Sequence, residues 1–436
     1  MALRALLLCD DGLLAQAALD KAVASASNPD GRDRRLAAEI FYGVLRAEIR
    51  IDFLLSRVLR KPFALPSAVR HILRIAVYAM LFQDRVPHYA AISAAVAQTG
   101  YLFPKSLSRL VNAALRSVQR MGDDVREPQF YVEDKDCPNK ARWWALARYH
   151  SIPRHIADMW ENAYGRDNAI ALLRRSSARP WTGLRLNSRH PFAERLRQAL
   201  LALGAANPGE NAFAFAPGSL PPLVLNRPLA DWAAGGVLSF QSCGSQLALL
   251  GLGLGGFGSA PWWDACAGQG GKTCFLLERG AGVALCSDTS LPRLGRLGCE
   301  CRRLMLPVPP LVQADAACAP LSSWSGHILL DVPCSGLGVL ARRPEIRRRL
   351  SPERIGQHVA LQSRILDQTA HLLGNGCCLV YVTCTLNPEE NERRVAALLA
   401  EHPQFRLVRQ WITPFDHPWL EGMYAALLTK GRGFSR

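Results

Sequence analysis

The chain has no run of about 20 apolar residues, the length that a bilayer-spanning helix requires. Its longest apolar stretches, such as Leu247 to Gly258, are short and broken by glycine, so no transmembrane segment is predicted. A secretory leader, with its charged, apolar and small-residue parts, is missing from Met1 to Leu13. The 13 cysteines are an odd number scattered over 436 residues, which predicts a reducing cytoplasm rather than a disulfide framework. No CxxC motif is matched by a second CxxC or by a His pair. The common structural zinc sites are therefore excluded, and no metal is expected. Internal repeats of about 20 to 50 residues and low-complexity tracts are also absent, which excludes solenoids and biased linkers. Acidic residues are scarce: 36 Asp and Glu face 52 Lys and Arg, for a formal net charge of +16 and a pI near 9.6. That imbalance points to a polyanionic partner, with nucleic acid ahead of an anionic membrane surface.

What is present suffices for several cores. Hydrophobic residues make up 49% and charged ones 20%, and at roughly 100 to 200 residues per domain the length implies two to four domains. From Arg34 to Arg120 apolar residues recur at spacings of three and four, as in Leu36, Ile40, Val44 and Leu45, or Ile72, Ile75, Ala76, Ala79 and Met80. Pro66, Pro87 and Pro104 fall between these stretches, where a proline ends a helix cleanly. The pattern predicts an all-α module of about five helices within residues 1–125. Residues 126–140, acidic and aperiodic, read as a linker. Residues 141–235 read as a small α+β region, helical at Ile156 to Arg175 and Phe192 to Leu203, with a strand at Thr182 to Asn187. In 236–436 short apolar strands alternate with helices, the signature of a parallel sheet built from βαβ units. The candidate strands are Trp262–Cys266, Val283–Ser287, Leu304–Val308, His327–Asp331, Cys378–Thr383 and Met423–Leu428, with a long helix at Pro352 to Leu373.

Two sets of residues carry chemistry. The first is Asp264-Ala-Cys-Ala-Gly-Gln-Gly-Gly-Lys-Thr273, a strand running into a glycine-rich turn that opens a helix. Glycines let a ligand approach the backbone, and a helix N-terminus offers free amide donors, which suits a nucleotide-like ligand. The spacing is neither the dinucleotide fingerprint nor the phosphate loop. Asp288 follows the second strand, about 20 residues on, where a carboxylate can take both hydroxyls of a ribose. Asp315 and Asp331 extend a row of carboxylates at strand C-termini, the edge at which open α/β sheets bind ligands. The second set is a pair of cysteines at equivalent strand ends, Asp331-Val-Pro-Cys334 and Tyr381-Val-Thr-Cys384. A thiolate is a strong nucleophile toward an electron-poor ring, and a helix N-terminus near Pro388 or Arg342, Arg343 and Arg347 could lower its pKa. Arg174, Arg175, Arg179, Arg185, Arg189 and the run Arg347 to Arg349 are candidates for phosphate contact.

Three blocks, Asp264 to Thr273, Asp331 to Arg347 and Tyr381 to Glu392, resemble in order and spacing the signature motifs of the S-adenosylmethionine-dependent RNA 5-methylcytosine methyltransferases, the NOL1/NOP2/Sun family. The N-terminal module is similar to the NusB RNA-binding domain in Leu73 to Tyr78, Arg85 to Ile92 and Leu110 to Arg116. Together these resemblances imply a NusB-like bundle, a small α+β middle region and a C-terminal Rossmann-like methyltransferase domain. They imply S-adenosylmethionine as cofactor, 16S ribosomal RNA as substrate with its cytosine unpaired or extruded, and a monomer. By position, Asp264, Cys266, Ala267, Gly268, Gln269, Gly270, Gly271 and Lys272 would hold the methionine end of the cofactor, Asp288 the ribose, and Asp315 the neighbourhood of the adenine. Asp331 and Lys272 would lie nearest the cytosine, Cys384 would be the nucleophile, and Cys334 would assist product release. The rival expectations are a methyltransferase acting on transfer RNA or 23S ribosomal RNA, and a non-catalytic RNA-binding assembly factor with a relic methyltransferase domain.

Overall fold

A computed structural model of the chain describes residues 1–254 and 260–431, so the end of the apolar run Leu247 to Gly258 lies outside the described residues. The chain forms two compact units, one of residues 1–178 with 340–349 and one of 179–339 with 350–436.

The first unit is helical: α1 (Ala2–Asp10), α2 (Ala15–Ala24), α3 (Gly31–Val58), α4 (Ser67–Phe82), α5 (His88–Leu102), α6 (Lys105–Gln119), α7 (Ala141–Tyr149), α8 (Arg154–Tyr164) and α9 (Arg166–Ser177). Asp30 starts α3 by accepting hydrogen bonds from the amides of Arg32 and Asp33, and Pro66, Pro87 and Pro104 precede α4, α5 and α6, as the sequence predicted. Phe41, Val44, Ile51, Leu54, Val69, Val77 and Leu115 form a core from which water is excluded. The stretch 126–140, expected as a linker, is held in place. Tyr131 is fully buried and takes a hydrogen bond from Arg50 at 2.9 Å, while Asp136 pairs with Arg148 at 2.6 Å. Acidic residues that look solvated in sequence here satisfy buried arginines.

The arginine run 347–349 also belongs to this unit, which corrects the expectation that it meets phosphates. Buried Arg347 donates to the carbonyls of Ser151, Leu340 and Ser176. Arg348 pairs with Glu48 at 2.6 Å and Asp10 at 2.9 Å, and Arg349 donates to the Gly12 carbonyl. These three guanidiniums bind the segment to the helices.

The second unit carries two sheets. The smaller one joins β1 (Thr182–Leu186), β2 (Ala206–Gly209), β3 (Ala212–Phe215) and β4 (Leu238–Phe240), all antiparallel in the order β2-β3-β1-β4. Helices α10 (Ala193–Ala202) and α11 (Leu229–Ala234) accompany it, and Leu184, Leu196, Phe213, Phe215 and Trp232 fill its core. After α12 (Cys243–Gly251) comes the larger sheet, made of β5 (Trp262–Asp264), β6 (Val283–Asp288), β7 (Leu311–Gln313), β8 (His327–Asp331), β9 (Cys378–Thr383), β10 (Phe405–Ile412) and β11 (Tyr424–Lys430). Its order is β10-β11-β9-β8-β5-β6-β7, parallel from β9 to β7 and antiparallel at β11 and β10. Helices α13 (Gly271–Glu278), α14 (Leu291–Arg303), α15 (Pro352–Leu372) and α16 (Glu392–Glu401) complete the wound unit. Trp262 and Trp263 are both buried but pack into different cores, as adjacent residues of a strand covered on both faces must. The strand expected at Leu304 to Val308 is absent: those residues are coil, and the third strand is β7. Pro307, Pro309 and Pro310 remove the amide donors that a ladder there would need.

Candidate active site

Connections from β5 run to β6 and β7 on one side, while β8 and β9 lie on the other, so the sheet reverses direction between β5 and β8. Crevices at the C-terminal ends of strands form at such a point. Asp264 ends β5 and Asp331 ends β8, so both carboxylates flank it.

The glycine turn after β5 is built by backbone. Ala267 donates to the Ser287 carbonyl at 2.9 Å, Gly270 to the Ala267 carbonyl at 2.9 Å, and Cys274 to the Gly270 carbonyl at 2.8 Å. Gly270 has φ +88° where it caps α13, a left-handed conformation that favours glycine. Gly268, at φ +54°, faces open space, since a side chain there would meet nothing within 4 Å. Its amide donates to Asp288 at 3.0 Å, while the other Asp288 oxygen accepts from the Ser290 amide at 2.8 Å. Asp288 thus ties the end of β6 to the turn after β5. Gln269 is exposed and Cys266 half-buried, and burial raises the Cys266 thiol pKa well above its usual value, with the nearby Asp264 and Asp331 adding to the rise. Asp315 caps the short helical turn after β7 by accepting from the Ala317 amide at 2.9 Å.

Asp264 is buried, with Thr273 donating to one carboxylate oxygen at 2.6 Å and the other lacking a hydrogen-bond partner among the described residues. Loss of solvent pushes its pKa up to about 7, and the neighbouring Asp331 charge pushes the same way. Lys272, on the first turn of α13, pairs with Asp331 at 2.6 Å. Burial opposes its charge, but Asp331 and then Cys384 outweigh that effect and raise its pKa. Lys272 is therefore a cation within electrostatic reach of Cys384.

The two strand-end cysteines meet. The sulfur atoms of Cys334 and Cys384 are 3.3 Å apart, and both residues are half-buried. The hydrogen bond to Cys384, together with burial, raises the Cys334 thiol well above its usual range. Backbone holds the two loops together: Val332 donates to the Val382 carbonyl at 3.1 Å and Gly338 to the Cys384 carbonyl at 3.1 Å. Gly338 also accepts from Gly422, and a Cβ at 338 would fall within 1.7 Å of the Gly422 carbonyl oxygen. Only glycine permits that approach.

Among the arginines expected at phosphates, Arg185 is withdrawn from solvent. It pairs with Glu278 at 2.9 Å and donates to Gln241 at 2.5 Å and to the Gly271 carbonyl at 2.7 Å, so it braces the first turn of α13. Arg175 is likewise buried, whereas Arg174, Arg179 and Arg189 are exposed. Glu390 lies within the stretch Tyr381 to Glu392, but nothing in the sequence pattern says that its side chain reaches Ser335.

A doubly wound sheet with a glycine turn, a row of strand-end carboxylates and a thiol pair defines the class of S-adenosylmethionine-dependent methyltransferases. The family model described as "16S rRNA methyltransferase RsmB/F" matches residues 258–420, and that of the NusB family matches residues 1–120. Ribosomal RNA small subunit methyltransferase B of Pseudomonas putida is 34% identical over 397 residues, covering 86% of this chain and 83% of that protein. The protein of the same description from Vibrio cholerae is 31% identical and covers 92% and 90%. The chain belongs to the ribosomal RNA small subunit methyltransferase B family, and it is an RNA methyltransferase with S-adenosylmethionine as cofactor. Among solved structures, PH0851 is similar with a TM-score of 0.76 at 21% identity, over 98% of this chain and 97% of that one. NSun6 from Pyrococcus horikoshii with SFG has a TM-score of 0.52 at 18% identity, over 64% and 99%. These two support the fold. Among the described residues, no helix is long and apolar enough to cross a membrane.

The residues present suit the cofactor. The partnerless oxygen of Asp264 is a buried acceptor suited to an ammonium group, and the open side of Gly268 leaves room beside the backbone.

Proposed function

We propose that this protein transfers a methyl group to carbon 5 of a cytosine in 16S ribosomal RNA through a covalent cysteine–cytosine adduct. The observation that carries the proposal is the pair of sulfurs 3.3 Å apart beside the Lys272–Asp331 ion pair. Carbon 5 of cytosine is a weak nucleophile until a thiolate adds to carbon 6 and makes the ring enamine-like. When bound, S-adenosylmethionine supplies the electrophilic methyl group. Cys384 adds to carbon 6 with Lys272 stabilising its charge, and carbon 5 then takes the methyl group as the methyl–sulfonium bond breaks. A base removes the carbon-5 proton while the carbon 6–sulfur bond breaks, and Cys334, held as a thiol, gives its proton to the departing Cys384 sulfur. Asp331 accepts a hydrogen bond from the exocyclic amine of cytosine and repels the carbonyl of uracil. Asp264, Cys266, Ala267, Gly268, Gln269, Gly270, Gly271 and Lys272 face the methionine end of the cofactor, Asp288 its ribose and Asp315 its adenine side. To reach sulfurs at strand ends, the base must be unpaired or extruded.

Methyl transfer to deproteinised 16S ribosomal RNA, located by bisulfite sequencing, tests this reading. The wild type is expected to protect one cytosine from conversion, and Cys384→Ala to protect none while still binding cofactor in calorimetry. A methylated base other than cytosine, or undiminished transfer by Cys384→Ala, would overturn it.

A further inference from the structure

Glu390 is fully buried, yet among the described residues its hydrogen-bond donors are all neutral. An ionised carboxylate in such a place is expensive unless every lone pair is met, and here each is. One oxygen accepts from the Ser335 amide at 2.8 Å and from Gln362 at 3.1 Å. The other accepts from the Ser335 hydroxyl and from Asn387 at 3.0 Å. These four close donors meet the roughly four acceptor sites of a carboxylate, and the Thr385 hydroxyl stands farther off, 3.5 Å from the second oxygen.

The origin of those donors gives the group its meaning. Ser335 directly follows Cys334 on the loop after β8, and Asn387 lies on the loop after β9 that carries Cys384. Gln362 comes from α15 and also donates to the Pro333 carbonyl at 2.8 Å. The Thr385 hydroxyl, next to Cys384, lies 2.9 Å from that of Ser335. Since the Ser335 hydroxyl donates to the carboxylate, that of Thr385 donates to Ser335. Each cysteine is therefore followed by a hydroxyl residue in one chain of bonds ending on Glu390. The glutamate's own backbone is fixed as well, its carbonyl accepting from the Tyr381 hydroxyl at 2.7 Å.

We infer that Glu390 is a positioning residue that holds the two cysteine loops in register, so that the sulfurs of Cys334 and Cys384 face one another. This rests on the two-cysteine reading above. It also explains why the position carries a charge: a glutamine would turn an amine toward two donors and keep one acceptor where two are needed. The negative charge adds to the effects that keep the Cys334 thiol protonated, which separates the two sulfurs into one proton carrier and one nucleophile.

The test uses the full-length chain with S-adenosylmethionine and 16S ribosomal RNA. Glu390→Gln is expected to lower kcat by about 10-fold to 100-fold, the loss typical when a hydrogen-bond partner that orients a metal ligand is removed. KM for RNA and the cofactor Kd should change less than about twofold, a split that general unfolding would not give. In a Cys334→Ala background, Glu390→Gln should also slow the formation of the protein–RNA adduct. If Glu390→Gln does not fold, Ser335→Ala decides, since it removes one link of the chain and leaves the carboxylate three donors; its kcat should fall in the same direction. Unchanged kcat in a folded Glu390→Gln, or in Ser335→Ala when Glu390→Gln does not fold, overturns the positioning role. A Cys334→Ala protein that forms no adduct at all would instead overturn the two-cysteine reading.

Discussion

Asp264 shows how one enclosed side chain can link the reaction to protons. Its carboxyl, pushed up to about 7 by burial, is partly protonated at neutral pH. A cation arriving beside it favours the ionised form and lowers that pKa. Cofactor binding near pH 7 should therefore release a fraction of a proton, falling toward zero by pH 9, when the group is already ionised. Calorimetry in two buffers of different ionisation enthalpy measures this directly. Proton uptake, or release unaltered in Asp264→Asn, would contradict the assignment. In the unliganded protein the raised pKa has the opposite consequence: ionising Asp264 costs stability, beginning above the unfolded value of 3.8 and complete above about 7. At this scale the sequence was legible where chemistry sits in consecutive letters, as in Asp264 to Lys272. Glu390 was not, because its partner Ser335 is 55 positions away and only folding brings them together.

Among the elements, the junction of α7 with α9 carries a pH signature. His150 ends α7, and its Nδ1 lies 2.7 Å from the Ser177 hydroxyl at the end of α9. Burial, reinforced by the charges of Arg50 and Arg174, lowers its pKa from 6.5 to about 4. A histidine kept neutral in the fold contributes stability that is complete above 6.5 and is lost as pH falls from 6.5 toward 4. The full effect is at most about 3 to 4 kcal/mol, from about 1.4 kcal/mol per pKa unit. Denaturant melts at pH 7 and pH 4.5 should show wild type losing more stability than His150→Asn; equal losses would refute the account. Strands buried on both faces, β8 and β9, were readable as apolar runs, and proline spacing marked the helix starts. The edge strand β10 was missed because Arg406, Arg409 and Gln410 leave it no apolar run, and it pairs on one side only, with β11. β7 was misplaced because apolar Leu304 to Val308 outweighed the prolines around it.

Across the whole molecule, the arginine count overstates what is available to RNA. Some arginines are held inside the fold, Arg185 on Glu278, Arg347 on carbonyls and Arg348 on Glu48 and Asp10. Exposed Arg174 and Arg179 are better placed for phosphates. Replacing either with Ala should weaken RNA binding across sequences and reduce the slope of log affinity against log salt by about one. Arg348→Ala should leave the slope unchanged and lower the melting temperature, because Glu48 and Asp10 lose a partner. The reverse pattern would show that the exposure argument is wrong.

Catalysis turns on which of the two sulfurs, 3.3 Å apart, forms the bond to the base. Incubating Cys334→Ala with S-adenosylmethionine and 16S ribosomal RNA, then running a denaturing gel, tests that most directly. The expected result is a slow-migrating protein–RNA species that nuclease collapses and that the Cys334→Ala, Cys384→Ala double variant does not form. An adduct that accumulates in Cys384→Ala and not in Cys334→Ala would contradict the account.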